Sequence, residues 1–219
     1  MIVVIDGPSG SGKSSTAREV AARSGFYFLD SGAFYRCFTL AFQRDGSDTG
    51  RLMEKLAGYR VSARFDNGEF RISLDGEDVT LEIRDSRVSS GVSRIAEIPA
   101  VRARVNELLR EVATRNDIIA DGRDLGTAVF PDADLKFFMV ADLKTRSQRR
   151  IKQLEEMGLS GDPDTIRRNL EERDKIDSER AADPLRRAED AILIDTSKLE
   201  FTQQADLILT EIKKNKNRG

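Results

Sequence analysis

The chain has 219 residues, of which 34% are charged, with a net charge of −2 at pH 7 and a sequence isoelectric point of about 5.5. A chain of this length can bury a sizeable core, so we expect one domain with mobile insertions. The balanced charge argues against a nucleic-acid or membrane partner. The absence of histidine excludes histidine acid–base catalysis and histidine-ligated metal.

Cysteine usage and hydropathy bear on the cellular compartment. The one cysteine, Cys37, lies in an apolar run and cannot form an internal disulfide, which favours a buried thiol in a reducing cytoplasm. Met1 leads directly into an apolar segment, so we expect no signal peptide. The chain has no apolar run that approaches the length of a membrane span.

The first fifteen residues predict a strand followed by a phosphate-binding loop. Residues 2–5 are apolar and mostly β-branched, which is typical of a strand buried on both faces. Residues 7–14 match the pattern G-x-x-x-x-G-K-[ST], for which a chance glycine-rich turn is the alternative. The expected nucleotide-binding residues are Gly7, Pro8, Ser9, Gly10, Ser11, Gly12, Lys13, Ser14 and Ser15.

The residue types of this loop suit a polyphosphate. Glycines let successive backbone N–H groups point at the anion, and the helix predicted from Lys13 to Ser24 directs its N-terminal dipole at the same place. We expect Lys13 to project into a solvated cleft towards the β/γ oxygens of a nucleotide. We expect the Ser14 hydroxyl to ligate Mg²⁺.

The next elements extend to residue 79. Residues 26–29 predict a second strand, a helix follows Asp30-Ser31-Gly32, and residues 52–58 predict another helix. Arg36 faces away from the apolar stripe of its helix, so it is either solvated or a ligand. Period-two apolar runs around Asn67-Gly68 predict a small antiparallel insertion over about residues 60–79, either a structural flap or part of a substrate lid.

The rest of the chain alternates predicted helices and strands. A helix begins at Pro99, strands cover 117–120, 135–141 and 191–194, helices cover 143–157 and 201–213, and residues 213–219 are expected to fray. Asp142 is expected to cap the helix that follows it. Together these elements predict an α/β fold with a five-stranded parallel sheet and helices on both faces.

Charged residues gather where the sheet is expected to bind a ligand. The carboxyl ends of parallel strands bring the phosphate loop, Asp30-Ser31 and residues 121–124 into one cleft. The helix at 143–157 adds three arginines on one face, by default a solvated face and otherwise a nucleotide contact: Arg146, Arg149 and Arg150.

Residues 162–182 predict a helix with charges on its inward side. Asp162-Pro163 is a typical helix start, and the inward stripe reaches Arg173, Asp177 and Arg180. Charges at positions that are normally apolar need partners. Internal salt bridges are one explanation, and we favour ligation of polyphosphate and sugar.

The cleft favours a phosphate as the group that accepts a phosphoryl unit. A hydroxyl acceptor needs a carboxylate base, whereas a phosphate is already mostly ionised and needs several arginines because two polyanions approach each other. The cleft segments supply Arg36, Arg102, Arg123, Arg173 and Arg180. We therefore expect a nucleoside monophosphate acceptor.

Three other functions also use a phosphate-binding loop of this kind. A P-loop kinase of a small hydroxyl acceptor, with Asp30 or Asp124 as base, is the alternative. A regulatory GTPase needs Asn-Lys-x-Asp, which the sequence lacks. A non-catalytic nucleotide sensor leaves the arginines unexplained.

Several segments together resemble the bacterial-type cytidylate kinase family. They are residues 7–14, 29–36, 75–79, 82–84, 120–127 and 172–174. The likeness runs nearly the whole chain and includes the hairpin insertion. It implies a P-loop NTPase-type fold with a short helical lid, and transfer of the γ-phosphate of ATP, with Mg²⁺, to the 5′-phosphate of CMP or dCMP.

The resemblance also implies a role for each matching residue. Cytidine would contact Ser31, Ser93, Arg102 and Asp124, of which the last three surround the base. The acceptor phosphate would contact Arg36 and Arg123, and the ribose Arg173 and Asp177. Catalysis would use Lys13, Arg123 and Arg180, and Arg149 would lie beside the ATP adenine. For Asp124, a salt bridge to its neighbour Arg123 is the alternative role.

The resemblance divides the chain into three parts. A core comprises residues 1–30, 101–151 and 183–219, an acceptor-binding domain comprises 31–100, and a lid comprises 152–182. Residues 175–179 contain fewer arginines than is common in this family's lid. We expect a monomer that acts on small-molecule nucleotides.

Overall fold

The elements of the fold follow from a computed structural model that describes residues 1–66, 68–114, 116–156, 158 and 160–217. In chain order they are β1 (Ile2–Asp6), α1 (Lys13–Ser24), β2 (Tyr27–Asp30), α2 (Ser31–Arg44), α3 (Thr49–Lys55), β3 (Val61–Asp66), β4 (Glu69–Leu74), β5 (Glu77–Asp78), α4 (Ser86–Ala96), α5 (Pro99–Ala113), β6 (Ile118–Gly122), β7 (Leu135–Val140), α6 (Leu143–Glu156), α7 (Pro163–Glu179), β8 (Ile192–Asp195) and α8 (Phe201–Lys216).

The predicted parallel strands form one five-stranded sheet in the order β2-β6-β1-β7-β8. All of its pairings are parallel. The register places Asp6 beside Gly122 and Asp30 beside Asp121. The α/β prediction is confirmed, and three strands end in acidic residues at the same edge of the sheet.

Apolar residues pack on both faces of this sheet. Val4 belongs to one cluster with α2 and α5, whereas Val3 and Ile5 belong to a second cluster with α1 and α8. This alternation explains why β1 is apolar throughout. Cys37 lies buried in the first cluster, and burial raises the pKa of its thiol to about 12.

The insertion between α3 and α4 is a three-stranded antiparallel sheet, β3-β4-β5. This confirms the predicted hairpin, although Asn67 of the expected turn lies outside the described residues. Phe70, Ile72 and Leu74 of β4 belong to the first apolar cluster. One side of the insertion is therefore part of the core, which supports a structural role.

Several boundaries differ from the predictions because caps and packing decide where helices begin and end. Asp48 accepts the Arg51 N–H at 3.2 Å, so α3 begins at Thr49 and the prediction of 52–58 is displaced. The prediction that the chain frays from residue 213 is wrong, because α8 continues to Lys216. The Lys216 ammonium lies 4.6 Å from the centre of the Phe26 ring.

Three helical elements were not predicted, and two predictions fall partly on residues outside the described ones. Helix α4 and two single turns, 3₁₀ at Glu82–Arg84 and π-helical at Leu125–Val129, were missed. Met157, at the end of the helix predicted over 143–157, and residues 218–219 lie outside the described residues. Within the described part of the chain, no helix is both long and apolar enough to cross a membrane.

Candidate active site

The phosphate-binding loop joins β1 to α1 and presses against β7. Gly7 has a φ of 147°, and a Cβ there would lie 2.0 Å from the carbonyl oxygen of Met139. Only glycine fits so close to another backbone. The loop is thus held against the middle of the sheet, with the N-terminus of α1 directly after it.

Lys13 is buried rather than solvated, so that part of the prediction is wrong. Its exposed fraction is 4%, and its ammonium donates to the carbonyl oxygen of Pro8 at 2.6 Å and to the Ser11 hydroxyl at 3.4 Å. Burial and the nearby Arg123 hold the pKa of Lys13 well below its usual range. The Lys13 ammonium is thus held by a carbonyl and a hydroxyl group of the loop itself.

Ser14 and Asp121 form a pair of oxygen ligands beside the loop. The Ser14 hydroxyl donates to Oδ2 of Asp121, at the end of the neighbouring strand β6. The other carboxylate oxygen, Oδ1, is buried and has no hydrogen-bond partner among the described residues. Mg²⁺ prefers such hard oxygen ligands and takes one or two from a protein when phosphates supply others. The pair fits a magnesium ion; the sequence placed Asp121 in the cleft but did not identify it as a metal ligand.

Asp30, at the end of β2, lies among three arginines. Its carboxylate is 3.2 Å from Arg84, 3.4 Å from Arg36 and 3.9 Å from Arg18, and it caps α2 through the Ala33 N–H. Burial raises the pKa of Asp30, but the three guanidinium groups outweigh it and lower the pKa overall. Arg36 is therefore turned into the site rather than solvated.

Arg102 and Asp124 form a buried ion pair just beyond the carboxyl end of β6. Arg102 is 1% exposed; it also donates to the Ala96 carbonyl at 3.1 Å and to Asp183 at 3.0 Å. Oδ1 of Asp124 accepts from Arg180 at 2.9 Å. Burial raises the pKa of Asp124, and both arginines oppose that shift. The partners of Asp124 are thus Arg102 and Arg180, not the neighbouring Arg123 considered from the sequence.

Arg123 and the charged stripe of α7 meet across the cleft. Arg123 donates to Asp177 at 2.8 Å, and Arg180 is 3.4 Å from the same carboxylate. Arg173 makes no hydrogen bond to any residue in the described part of the chain. Burial, Arg123 and Arg36 lower the pKa of Arg173. Internal salt bridges account for Asp177 and Arg180, whereas Arg173 adds positive charge to a positive cluster.

The three arginines of α6 differ from the default prediction of one solvated face. Arg146 is buried and bonds to Asp174 of α7, whereas Arg150 is exposed. Arg149 donates to the carbonyl of Thr196 at 2.7 Å and to its hydroxyl at 3.0 Å. The first two arginines thus support the phosphate loop region, and only Arg150 is solvated.

Three contacts tie the loop to α6 and α7. The Ser9 carbonyl accepts from Arg146 at 3.0 Å, and the Ser9 N–H donates to Asp174 at 3.2 Å. Arg149 also reaches the Ser11 carbonyl at 3.3 Å. Asp174 was missed from the sequence because it lies beside the inward stripe rather than on it.

The two serines expected near cytidine have different surroundings. The Ser31 hydroxyl, at the start of α2, is buried and donates to the Asp121 carbonyl. Ser93 is half-buried on α4, a helix that packs against α2, α5 and α7. Both lie on elements that border the Arg102–Asp124 pair, since Arg102 bonds to the end of α4 and lies 5.5 Å from the centre of the Tyr35 ring of α2.

Comparison with known proteins assigns this architecture to a family. The model of the family described as cytidylate kinase matches residues 3–214. The chain belongs to the cytidylate kinase family. Its P-loop and antiparallel insertion are therefore features of a cytidylate kinase family member, as the resemblance implied.

Individual relatives agree with the family model. The cytidylate kinase of Chloroherpeton thalassium is 41% identical over 218 residues, which is 95% of this chain and 91% of that protein. The cytidylate kinase of Limosilactobacillus fermentum is 42% identical over 216 residues, 97% of this chain and 95% of that protein. An uncharacterized protein from Eubacterium ventriosum shares the fold, with 14% identity, a TM-score of 0.54 and coverage of 97% and 98%.

Proposed function

We propose that this chain transfers the γ-phosphate of MgATP to the 5′-phosphate of CMP or dCMP, giving ADP and CDP or dCDP. Membership of the cytidylate kinase family supports this proposal. The structural observation that supports it most is a cluster of three arginines near the phosphate loop, of which two pair with Asp30 and Asp177 and lower the pKa of the third: Arg36, Arg123 and Arg173. Such a cluster suits a reaction in which two polyanions must approach each other.

The proposed donor site is the loop from Gly7 to Ser15. Its backbone N–H groups and Lys13 would hold the ATP phosphates, and Arg149 would border the adenine. Ser14 and Asp121 would hold Mg²⁺, which neutralises the developing negative charge when bound. In this arrangement the Lys13 ammonium exchanges the Pro8 carbonyl for phosphate oxygens.

The proposed acceptor site lies across the cleft. Asp124 would accept the cytosine amine, with Arg102 and Ser93 around the base and Ser31 on the cytidine. Arg36 and Arg123 would hold the acceptor phosphate, Arg173 and Asp177 would reach the ribose, and Arg180 would reach the phosphoryl group in transit. Arginines in such positions stabilise the charge of the transferred group.

The candidate bases of a hydroxyl-acceptor kinase are poorly suited to that task. The arginines around Asp30 lower its pKa, so it binds a proton weakly. Each oxygen of Asp124 accepts from an arginine, which disfavours a proton there but leaves lone pairs for a further hydrogen bond. The cations around both carboxylates thus favour a phosphate acceptor.

The direct test is a coupled ADP-release assay with the wild-type enzyme. We expect turnover with CMP and dCMP, weaker turnover with UMP, and none above the ATPase background with shikimate or gluconate. Turnover with a small alcohol but not with CMP would instead establish the hydroxyl-acceptor alternative.

The role of Asp121 in metal binding predicts a change in magnesium dependence. Asp121→Asn removes a negative charge from the pair with Ser14, so the Mg²⁺ concentration for half-maximal activity should rise about tenfold or more. Asp142→Asn, at an exposed helix cap, is the matched control and should leave it unchanged. Equal magnesium dependence in wild type and Asp121→Asn would exclude Asp121 as a metal-site residue.

The proposed lid predicts a change in backbone protection. If α7 closes over substrates, hydrogen exchange over residues 160–182 should slow when CMP and a non-hydrolysable ATP analogue are added. Peptides from α8, which packs against α1, serve as the control. Unchanged exchange over 160–182 would favour a permanent ion-pair network through Asp177 and Arg180.

We infer that residues 31–100 form the acceptor-binding part, that 152–182 form the lid, and that the rest forms the core. We further infer a monomeric enzyme that acts on small-molecule nucleotides. The free, buried Cys37 thiol supports a cytoplasmic location.

A further inference from the structure

Asp6, the last residue of β1, is a buried carboxylate without a role in the proposed reaction. Its exposed fraction is 4%. Its Oδ1 accepts the N–H of Leu125 at 2.9 Å, and its Oδ2 accepts the N–H of Gly126 at 2.7 Å. Both amides begin the π-helical turn that starts directly after Asp124. Asp6, at the end of β1, therefore caps a turn that follows β6.

Asp124 occupies the position from which an aspartate ordinarily caps its own helix. An aspartate that precedes the first helical residue usually accepts an N–H of the first turn. Among the residues that the structure describes, five aspartates do so: Asp30, Asp48, Asp85, Asp142 and Asp162. Asp124 makes no such bond within the described residues, and its carboxylate pairs with Arg102 and Arg180 instead.

These two observations explain each other. Because Asp6 already accepts hydrogen bonds from the first two amides of the turn, these amides do not need the Asp124 carboxylate as an acceptor. We propose that Asp6 is a positioning residue for recognition of the cytosine of the acceptor. It caps the turn after Asp124 and so keeps the Asp124 carboxylate directed into the acceptor pocket. This inference rests on the proposed function, because it assigns to Asp6 an effect on CMP recognition.

The packing around the contact leaves little freedom. A Cβ on Gly126 would lie 3.4 Å from Oδ2 of Asp6 and 3.2 Å from Cδ of Lys136. Burial raises the pKa of the Asp6 carboxyl to about 6, so at neutral pH it is ionised and both oxygens accept. Asparagine has the same shape but only one accepting oxygen, and its amide nitrogen would face a backbone N–H.

The first test is Asp6→Asn in the full-length enzyme, with CMP, UMP and ATP kinetics. We expect the KM for CMP to rise about tenfold to a hundredfold and the CMP/UMP ratio of kcat/KM to fall. The KM for ATP should stay within about twofold. Asp48→Asn makes the same change at a remote cap and should alter none of these values. Equal increases in the KM values for ATP and CMP, or no change in either, would overturn the proposal.

A double variant tests whether Asp6 acts through Asp124. In an Asp124→Asn background, Asp6→Asn should change the CMP/UMP ratio by less than about twofold, because the carboxylate that it positions is already absent. A second full loss of selectivity in the double variant would mean that Asp6 acts independently of Asp124, and would contradict the proposal.

Two further measurements keep the inference testable if Asp6→Asn does not fold or if CMP is not the substrate. Gly126→Ala disturbs the same contact from the other side and should also raise the KM for CMP alone; an unchanged KM would contradict the proposal. Without any substrate, amide exchange at Leu125 and Gly126 should be faster in Asp6→Asn than in wild type. That comparison judges the cap itself, whereas absence of wild-type CMP turnover refutes only the proposed function.

Discussion

Lys13→Met is expected to lower kcat by about a hundredfold to a thousandfold or more while the fold stays intact. Loss of one preorganised charge at a developing anion commonly costs about 3–4 kcal/mol of transition-state stabilisation. The fold should survive because methionine keeps the buried aliphatic chain, and the Pro8 carbonyl retains the Ser11 hydroxyl at 3.0 Å. Steady-state kinetics and thermal unfolding measure the two effects separately.

Lys136→Met is the matched control for Lys13→Met. Lys136 is also buried, and its ammonium also bonds to a proline carbonyl, that of Pro131, at the amino end of β7 and away from the phosphate loop. We expect it to affect stability and to leave kcat within about threefold of wild type. A Lys13→Met enzyme with nearly wild-type kcat would mean that this loop does not act on the transferred phosphate.

Much of the fold could be predicted because its signals are local. The run of apolar residues in β1, the proline that starts α5 and the Asp162-Pro163 start of α7 each identify an element without reference to the rest of the chain. Helix α4 was missed although Val88, Val92 and Ile95 repeat at helical spacing, because its serines and Gly91 are weak helix formers. The end of α8 was placed too early because contacts across the fold, such as Lys216 with Phe26, decide where it stops.

The candidate site was predictable where a motif or a strand end marks it, and not where partners meet through folding. The loop at 7–14 and the acidic strand ends followed from spacing alone. Which arginine pairs with Asp124 did not, since Arg102 and Arg180 come from segments 22 and 56 residues away. The burial of Lys13 likewise depends on how the loop folds over it, and no residue pattern reports that.

Asp124 should set the preference for cytosine over uracil, and Asp124→Asn is the sharper test because alanine would leave a cavity beside two buried arginines. Cytosine presents an amine at position 4 and uracil a carbonyl, so an ionised carboxylate pairs with the first and opposes the second. An asparagine amide can donate to the uracil carbonyl. A hydrogen bond to a charged group contributes about 1.5–3 kcal/mol, so the CMP/UMP ratio of kcat/KM should fall roughly tenfold to several hundredfold.

The control for Asp124→Asn is Asp183→Asn, which weakens another ion pair of the same arginine. Asp183 accepts from Nε of Arg102 at 3.0 Å and has a φ of 45°, a left-handed conformation that asparagine tolerates. If selectivity depended only on holding Arg102 in place, both variants would lower the CMP/UMP ratio. We expect only Asp124→Asn to do so, because in the proposed acceptor site the Asp124 carboxylate accepts the cytosine amine. An unchanged ratio in Asp124→Asn, measured with both substrates at saturating MgATP, would show that another residue reads the base.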